Sequence, residues 1–186
     1  MFMRKRSIVV VAAVAFVLIG AVSTADDAAP SFAATADPSD IALVSLAVLP
    51  DGTNLPEGSG TAAEGEPLYQ LHCASCHGVE GEGGLANRLV GGHGSLYSDA
   101  PVKTLGSYWP YATTVFDYVR RSMPYLEPMS LTNDDYYALT AWMLNRNDII
   151  GDKERMDSES LPQVVMPNRD GFINAYPEIP ADYDYR

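Results

Sequence analysis

Cys73 and Cys76 are the only thiols in the chain, and His77 follows the second directly, within the stretch LHCASCHG from Leu71 to Gly78. Two thiols separated by two residues can add across the two vinyl groups of one haem, and the adjacent imidazole then reaches the iron. The spacing C-x-x-C-H therefore reads as an attachment box for covalent haem c. Two other chemistries use these residue types. A dithiol redox pair needs a strand-to-helix setting that is missing here, and a zinc site would need two more ligands from His72, His93 or carboxylates. With no third cysteine for another disulfide or metal site, haem is the chemistry that fits.

An iron held by His77 on one face takes a soft or imidazole donor on the other, or stays open. Thiolate is eliminated because both cysteines are used. Met143 falls mid-helix on a packing face, and Met156 and Met166 come after the domain should be complete. Met123 and Met129 remain, both in the loop between the last two helices. Met123 is favoured, because the preceding helix ends there and Pro124 restricts its backbone; Met129, between Pro128 and Ser130, is the alternative. His93, in a glycine loop, stands behind both. A Met/His pair raises the potential of a haem and suits an electron acceptor in an oxidising compartment.

Trp109, Tyr108 and Tyr111 lie near this segment in sequence, with Lys103, Arg120 and Arg121. Trp109, Tyr108 and Arg120 are candidate partners of the haem propionates, whose charge is costly to bury unpaired. Their competing roles are ordinary: aromatics fill cores and bases face water. The chain shows no paired nucleophile and base, no second metal site and no glycine phosphate loop. Electron transfer, without a catalytic centre of its own, is the function these residues support.

Four segments must position the box. Thr61 followed by Glu64 is a capping-box pattern, so a helix from about Ala62 to Ala74 delivers the cysteines at its C-terminal end. Gly81, Gly83, Gly84, Gly91, Gly92 and Gly94 then form a long irregular loop that needs something to wrap around. Ala112, Val115, Phe116 and Val119 fall at helical spacing between Tyr111 and Arg121, with a stop before Pro124. Thr132 with Asp135 signals the last helix, whose residues Tyr137, Ala138, Ala141, Trp142 and Leu144 give it a broad apolar face.

The 186 residues suit one domain with tails. Arg4, Lys5 and Arg6, the apolar run Ile8 to Val22 and the small residues Ser23, Thr24 and Ala25 have the layout of a secretory signal peptide, with an apolar run short for a membrane span. The expected organisation is a signal over 1–25, an extended leader over 26–59, a haem domain over 60–150 and a C-terminal strap over 151–186. In the leader, Ile41 to Leu49 reads as a short strand or an extended arm between turn signals at Asp37, Pro38 and Pro50 to Gly52. In the strap, Leu161 to Met166 and Gly171 to Ile179 are apolar enough to lie ordered on the surface. The chain holds 12 basic and 24 acidic residues; without the first 25, nine basic residues face 24 acidic ones, a formal charge of −15. Such a surface repels nucleic acid and anionic lipid and steers the chain toward basic partners.

The order of these features resembles the class I cytochromes c, and implies an all-α fold of three to five helices around one covalent haem, with extended N- and C-terminal arms. By that likeness Gly65 lets the last helix cross closely, with Tyr69 and Trp142 in the contact. Class I members often place a proline after the box, whose carbonyl accepts from the haem histidine; here Leu85, Ala86, Asn87 and Arg88 occupy that region. The runs PDGTNLPEGSGTAAEGEPLY (Pro50 to Tyr69), PVKTLGSYWPYATTVFDYVRRSMP (Pro101 to Pro124) and MPNRDGF (Met166 to Phe172) look like the haem domain in cytochrome subunits of periplasmic sulfite and sulfane dehydrogenases. That resemblance implies a periplasmic redox partner with a molybdenum cofactor and a downstream cytochrome or oxidase. The other readings are an independent soluble carrier, the cytochrome subunit of another periplasmic dehydrogenase such as one for alcohols, or a gas sensor with an open iron site. A thiosulfate-oxidising cytochrome with a cysteine ligand is disfavoured by the absence of a third cysteine.

Overall fold

Two of the three long helices in this chain begin at a threonine whose hydroxyl caps the first turn, Thr61 and Thr132. The computed structural model describes residues 35–44 and 46–173. The chain divides into a unit of residues 1–37 and a second of residues 38–186. In the second, α1 (Pro38–Val44), β1 (Ser59–Thr61), α2 (Ala62–His72), α3 (Ala74–His77), α4 (Ala112–Ser122), α5 (Asn133–Arg146) and β2 (Arg155–Asp157) follow in order, with 3₁₀ turns at Ser95–Tyr97 and Leu161–Gln163. The expected signal peptide lies outside the described residues. Among the described residues no helix is long and apolar enough to cross a membrane.

Both expected caps are present. The Thr61 hydroxyl accepts from the Glu64 N–H at 3.3 Å while the Glu64 carboxylate accepts from the Thr61 N–H at 2.8 Å. Thr132 and Asp135 repeat the exchange at the start of α5. Each box satisfies two amides that the first helical turn would otherwise leave unpaired.

Helix α5 is buried on every side from Tyr136 to Leu144, more than the single apolar face its sequence implies. It crosses α2 at glycine: a Cβ on Gly65 would overlap the Ala138 carbonyl and come within 2.9 Å of the Trp142 Cβ. The close approach lets Tyr69 stack on Trp142, ring centroids 3.6 Å apart and planes 20° from parallel. On the other side Phe116 of α4 packs against Tyr137 with centroids 4.5 Å apart. Tyr69, Phe116, Tyr136 and Tyr137 are almost fully buried, and large aromatic areas of this kind dominate the energy of a small core.

The segments on either side of the helices supply part of that core. β1 pairs antiparallel with β2, Gly60 opposite Met156. Met156, Leu161 and Met166 are each no more than 2% exposed, so the chain after Gly151 is anchored on the helices as far as it is described; Gly171 to Ile179 is described only to Ile173. Before the helices, the patch Ile41 to Leu49 is not a strand. Pro38 opens α1, because its fixed φ and missing N–H suit the first helical position, and residues 46–49 then follow without regular structure, Val48 buried among them. The Val48 N–H donates to Asp117 Oδ1 at 2.8 Å, and Arg121 Nε donates to the same oxygen at 2.8 Å. Burial alone would raise the Asp117 carboxyl, but the Arg121 and Val48 bonds outweigh it and hold it below its ordinary value.

Candidate functional site

The box sits where α2 stops. Cys73 is the C-cap of α2, its N–H donating to Tyr69 O at 2.9 Å, and Ala74–His77 add one further turn. Gly78, at φ 85°, ends that turn in a conformation that side chains disfavour. Its carbonyl accepts the Tyr69 hydroxyl at 2.8 Å, tying the end of the box to the α2–α5 crossing. Burial, and then the neighbouring Cys76, push the Cys73 thiol up to about 11. A redox dithiol needs the opposite shift, toward a stable thiolate.

His77 Nδ1 lies 2.7 Å from the Asn87 carbonyl. A carbonyl only accepts, so Nδ1 carries the proton and Nε2 presents its lone pair. Asn87 thus takes the part a proline carbonyl often plays, and residue type gave no signal for it, since any residue has a carbonyl. The glycine loop wraps back on the box: Ala86 N–H donates to Cys76 O at 2.8 Å, Gly83 N–H to His77 O at 2.7 Å, and the Leu89 and Val90 amides both donate to Gly81 O.

Met123 is the C-cap of α4, half-buried against the core, with its N–H on Val119 O at 2.9 Å and its carbonyl accepting the Tyr136 hydroxyl at 3.3 Å. Met129 is 45% exposed with φ 60°, and His93 is exposed. Met143, Met156 and Met166 are buried in the core. Trp109 meets Tyr118 edge-on, centroids 5.5 Å apart, and among the described residues its ring N–H has no protein acceptor. The Lys103 ammonium lies 4.9 Å from the centre of the Tyr108 ring, and Phe172 meets the same ring edge-on. The two arginines of α4 differ. Arg121 is paired with Asp117, whereas Arg120 makes no ion pair among the described residues.

This donor set fits covalent haem: two thiols with an imidazole directly after the second, its Nδ1 engaged, a positioned thioether, and an indole N–H and guanidinium that have no protein acceptor among the described residues. The model of the family "Cytochrome c" matches residues 62–147. A chain of the crystal structure of the sulfane dehydrogenase SoxCD from Paracoccus pantotrophus is 45% identical, over 79% of this chain and 73% of that one, with a TM-score of 0.72. This chain belongs to the cytochrome c family. Comparison with curated proteins found no match. The cytochrome carries one covalent haem c, for which Cys73 and Cys76 have the family's spacing, and its activity is electron transfer. Beside the sites named from sequence, the cytochrome has a second buried polar centre at Asn147, 1% exposed, which sequence reasoning passed over because an asparagine just past a helix resembles a solvated end.

Proposed function

We propose that the chain is the exported, electron-accepting cytochrome subunit of a sulfur-compound dehydrogenase whose partner subunit holds a molybdenum cofactor. One observation carries this reading: the likeness to SoxCD spans 79% of the chain, more than residues 62–147 account for. The resemblance therefore reaches into the segments flanking the haem core, where a general-purpose carrier has no reason to match. The acidic surface supports docking to a basic partner face.

In this reading Cys73 and Cys76 would form the thioethers to the haem, and His77 would ligate the iron through Nε2. Met123 would supply the second ligand: its backbone is held at both N–H and carbonyl, while Met129 and His93 lie on exposed loop positions. Trp109 and Arg120 hold the propionates, with Tyr108 beside them. Bound haem supplies a one-electron ferric/ferrous couple. The protein's part is to orient the imidazole through Asn87, to present the thioether from the end of α4, and to limit water with the glycine loop. Electrons then pass to a downstream cytochrome or oxidase.

Isolation of the native protein from the periplasm, followed by metal analysis, tests the assignment. Molybdenum and iron in one complex is the expected result. Iron alone would overturn it in favour of an independent carrier.

A further inference from the structure

Asn147 caps α5 and makes more polar contacts than a helix end requires. Its Oδ1 accepts the Gly91 N–H at 2.9 Å, and its Nδ2 donates to Leu89 O at 3.2 Å and Met143 O at 2.8 Å. A Cβ on Gly106 would overlap the amide, so the chain passes over Asn147 at a distance only glycine allows. Gly91 is gripped a second time, by the buried Thr104 hydroxyl, which donates to its carbonyl at 2.6 Å. A buried amide with every group satisfied has little freedom to move, because any shift leaves a donor or acceptor unpaired in a low dielectric.

The loop so held is the one that orients the haem histidine. Leu89 lies two residues beyond Asn87, whose carbonyl accepts from His77 Nδ1. Between them the chain is fixed further by Arg88 Nε on Glu82 O at 3.0 Å and by the Leu89 and Val90 amides on Gly81 O. We infer that Asn147 is a positioning residue for the haem ligand: by holding Leu89 and Gly91 from the last helix, it fixes the Asn87 carbonyl against His77 and so sets the ring orientation and the electron density at Nε2. The inference rests on His77 being an axial ligand. A firm hydrogen bond at Nδ1 makes the imidazole a stronger donor and favours the ferric state. Loosening it moves the potential upward.

The test uses full-length, haem-loaded protein with Asn147→Leu and Asn147→Ser, and Thr140→Val as the control. Thr140 is fully buried on the same helix, but its hydroxyl bonds only Tyr136 O. Both Asn147 variants are expected to shift the reduction potential upward and to speed hydrogen exchange of the His77 ring N–H about tenfold, the equivalent of one weakened hydrogen bond. Thr140→Val should lower the melting temperature and leave both readouts in place. Asn147 variants that only lose stability, with potential and ring exchange as in wild type, would overturn the inference. Should Asn147→Leu fail to accumulate, Thr104→Val takes its place: a smaller upward shift supports the inference and an unmoved potential overturns it. The ligand reading is checked separately in the wild type. Absence of haem-shifted His77 ring protons overturns that reading and the inference with it, whereas shifted protons insensitive to Asn147 overturn the inference alone.

Discussion

The α2–α5 crossing and the loop from Cys73 to Gly94 are held by different forces. At the crossing, glycine brings two helices close, buried tyrosines fill the space, and residues after Gly151 close the far side with Met156, Leu161 and Met166. The loop has little of this: Val79 and Leu85 are exposed, and the segment keeps its shape through backbone hydrogen bonds and a few side-chain staples. The difference teaches that stability and haem chemistry are carried by separate sets of residues, so one should be damaged without the other.

Removing residues 155–186 should have the largest effect. Among the described residues it takes away three buried side chains, Met156, Leu161 and Met166, each worth about 2–5 kcal/mol, from a domain whose whole stability is about 5–15 kcal/mol. No folded, haem-loaded protein should accumulate, as judged by circular dichroism and haem staining. A stable truncated domain would break the comparison, since it would place the strap with a partner subunit. Gly65→Val comes next, costing about 3 kcal/mol, the upper end of the usual range for overpacking, read as a lowered denaturation midpoint with the haem spectrum unchanged in whatever folds.

Asp117→Asn sharpens the same division. At pH 7 it should cost about 1.5–3 kcal/mol, the range for hydrogen bonds to a charged group. The carboxyl of Asp117 is held below its ordinary value of 3.8, so its stabilisation is complete above that pH and is lost as pH falls through the folded value. Wild type and variant should therefore converge in stability on acidification below 3.8. A gap that persisted in acid would mean that the Val48 contact acts through packing and not through charge.

Met123→Ala should cost less stability than these changes, since the side chain is only partly buried, and abolish the weak far-red methionine-to-iron band of the oxidised protein. Retention of the band would move the ligand to Met129, and a wild type without the band would defeat both.

Much of the first region was legible in the sequence because its signals are local. Thr61 with Glu64 and Thr132 with Asp135 announce their helices within four residues, and the box carries its chemistry in its spacing. Pro38 was misread because proline marks a turn and a helix start alike, and only the residues after it decide. The apolar residues of the strap show no period, since Met156, Leu161 and Met166 reach the core from irregular chain. The loop was least legible. Asn87 acts through its backbone and Asn147 through partners more than fifty residues away, and neither leaves a pattern in residue type.

The pairing of β1 with β2 has a consequence for the order of events as the chain is made. A strand completed at Thr61 must wait for Arg155, and the core must wait for Met166, while Cys73 and Cys76 emerge long before either. During synthesis from the N-terminus, the attachment box emerges on a chain that still lacks Met156, Leu161 and Met166, which leaves an interval for haem to be joined before the last segment is added to the fold.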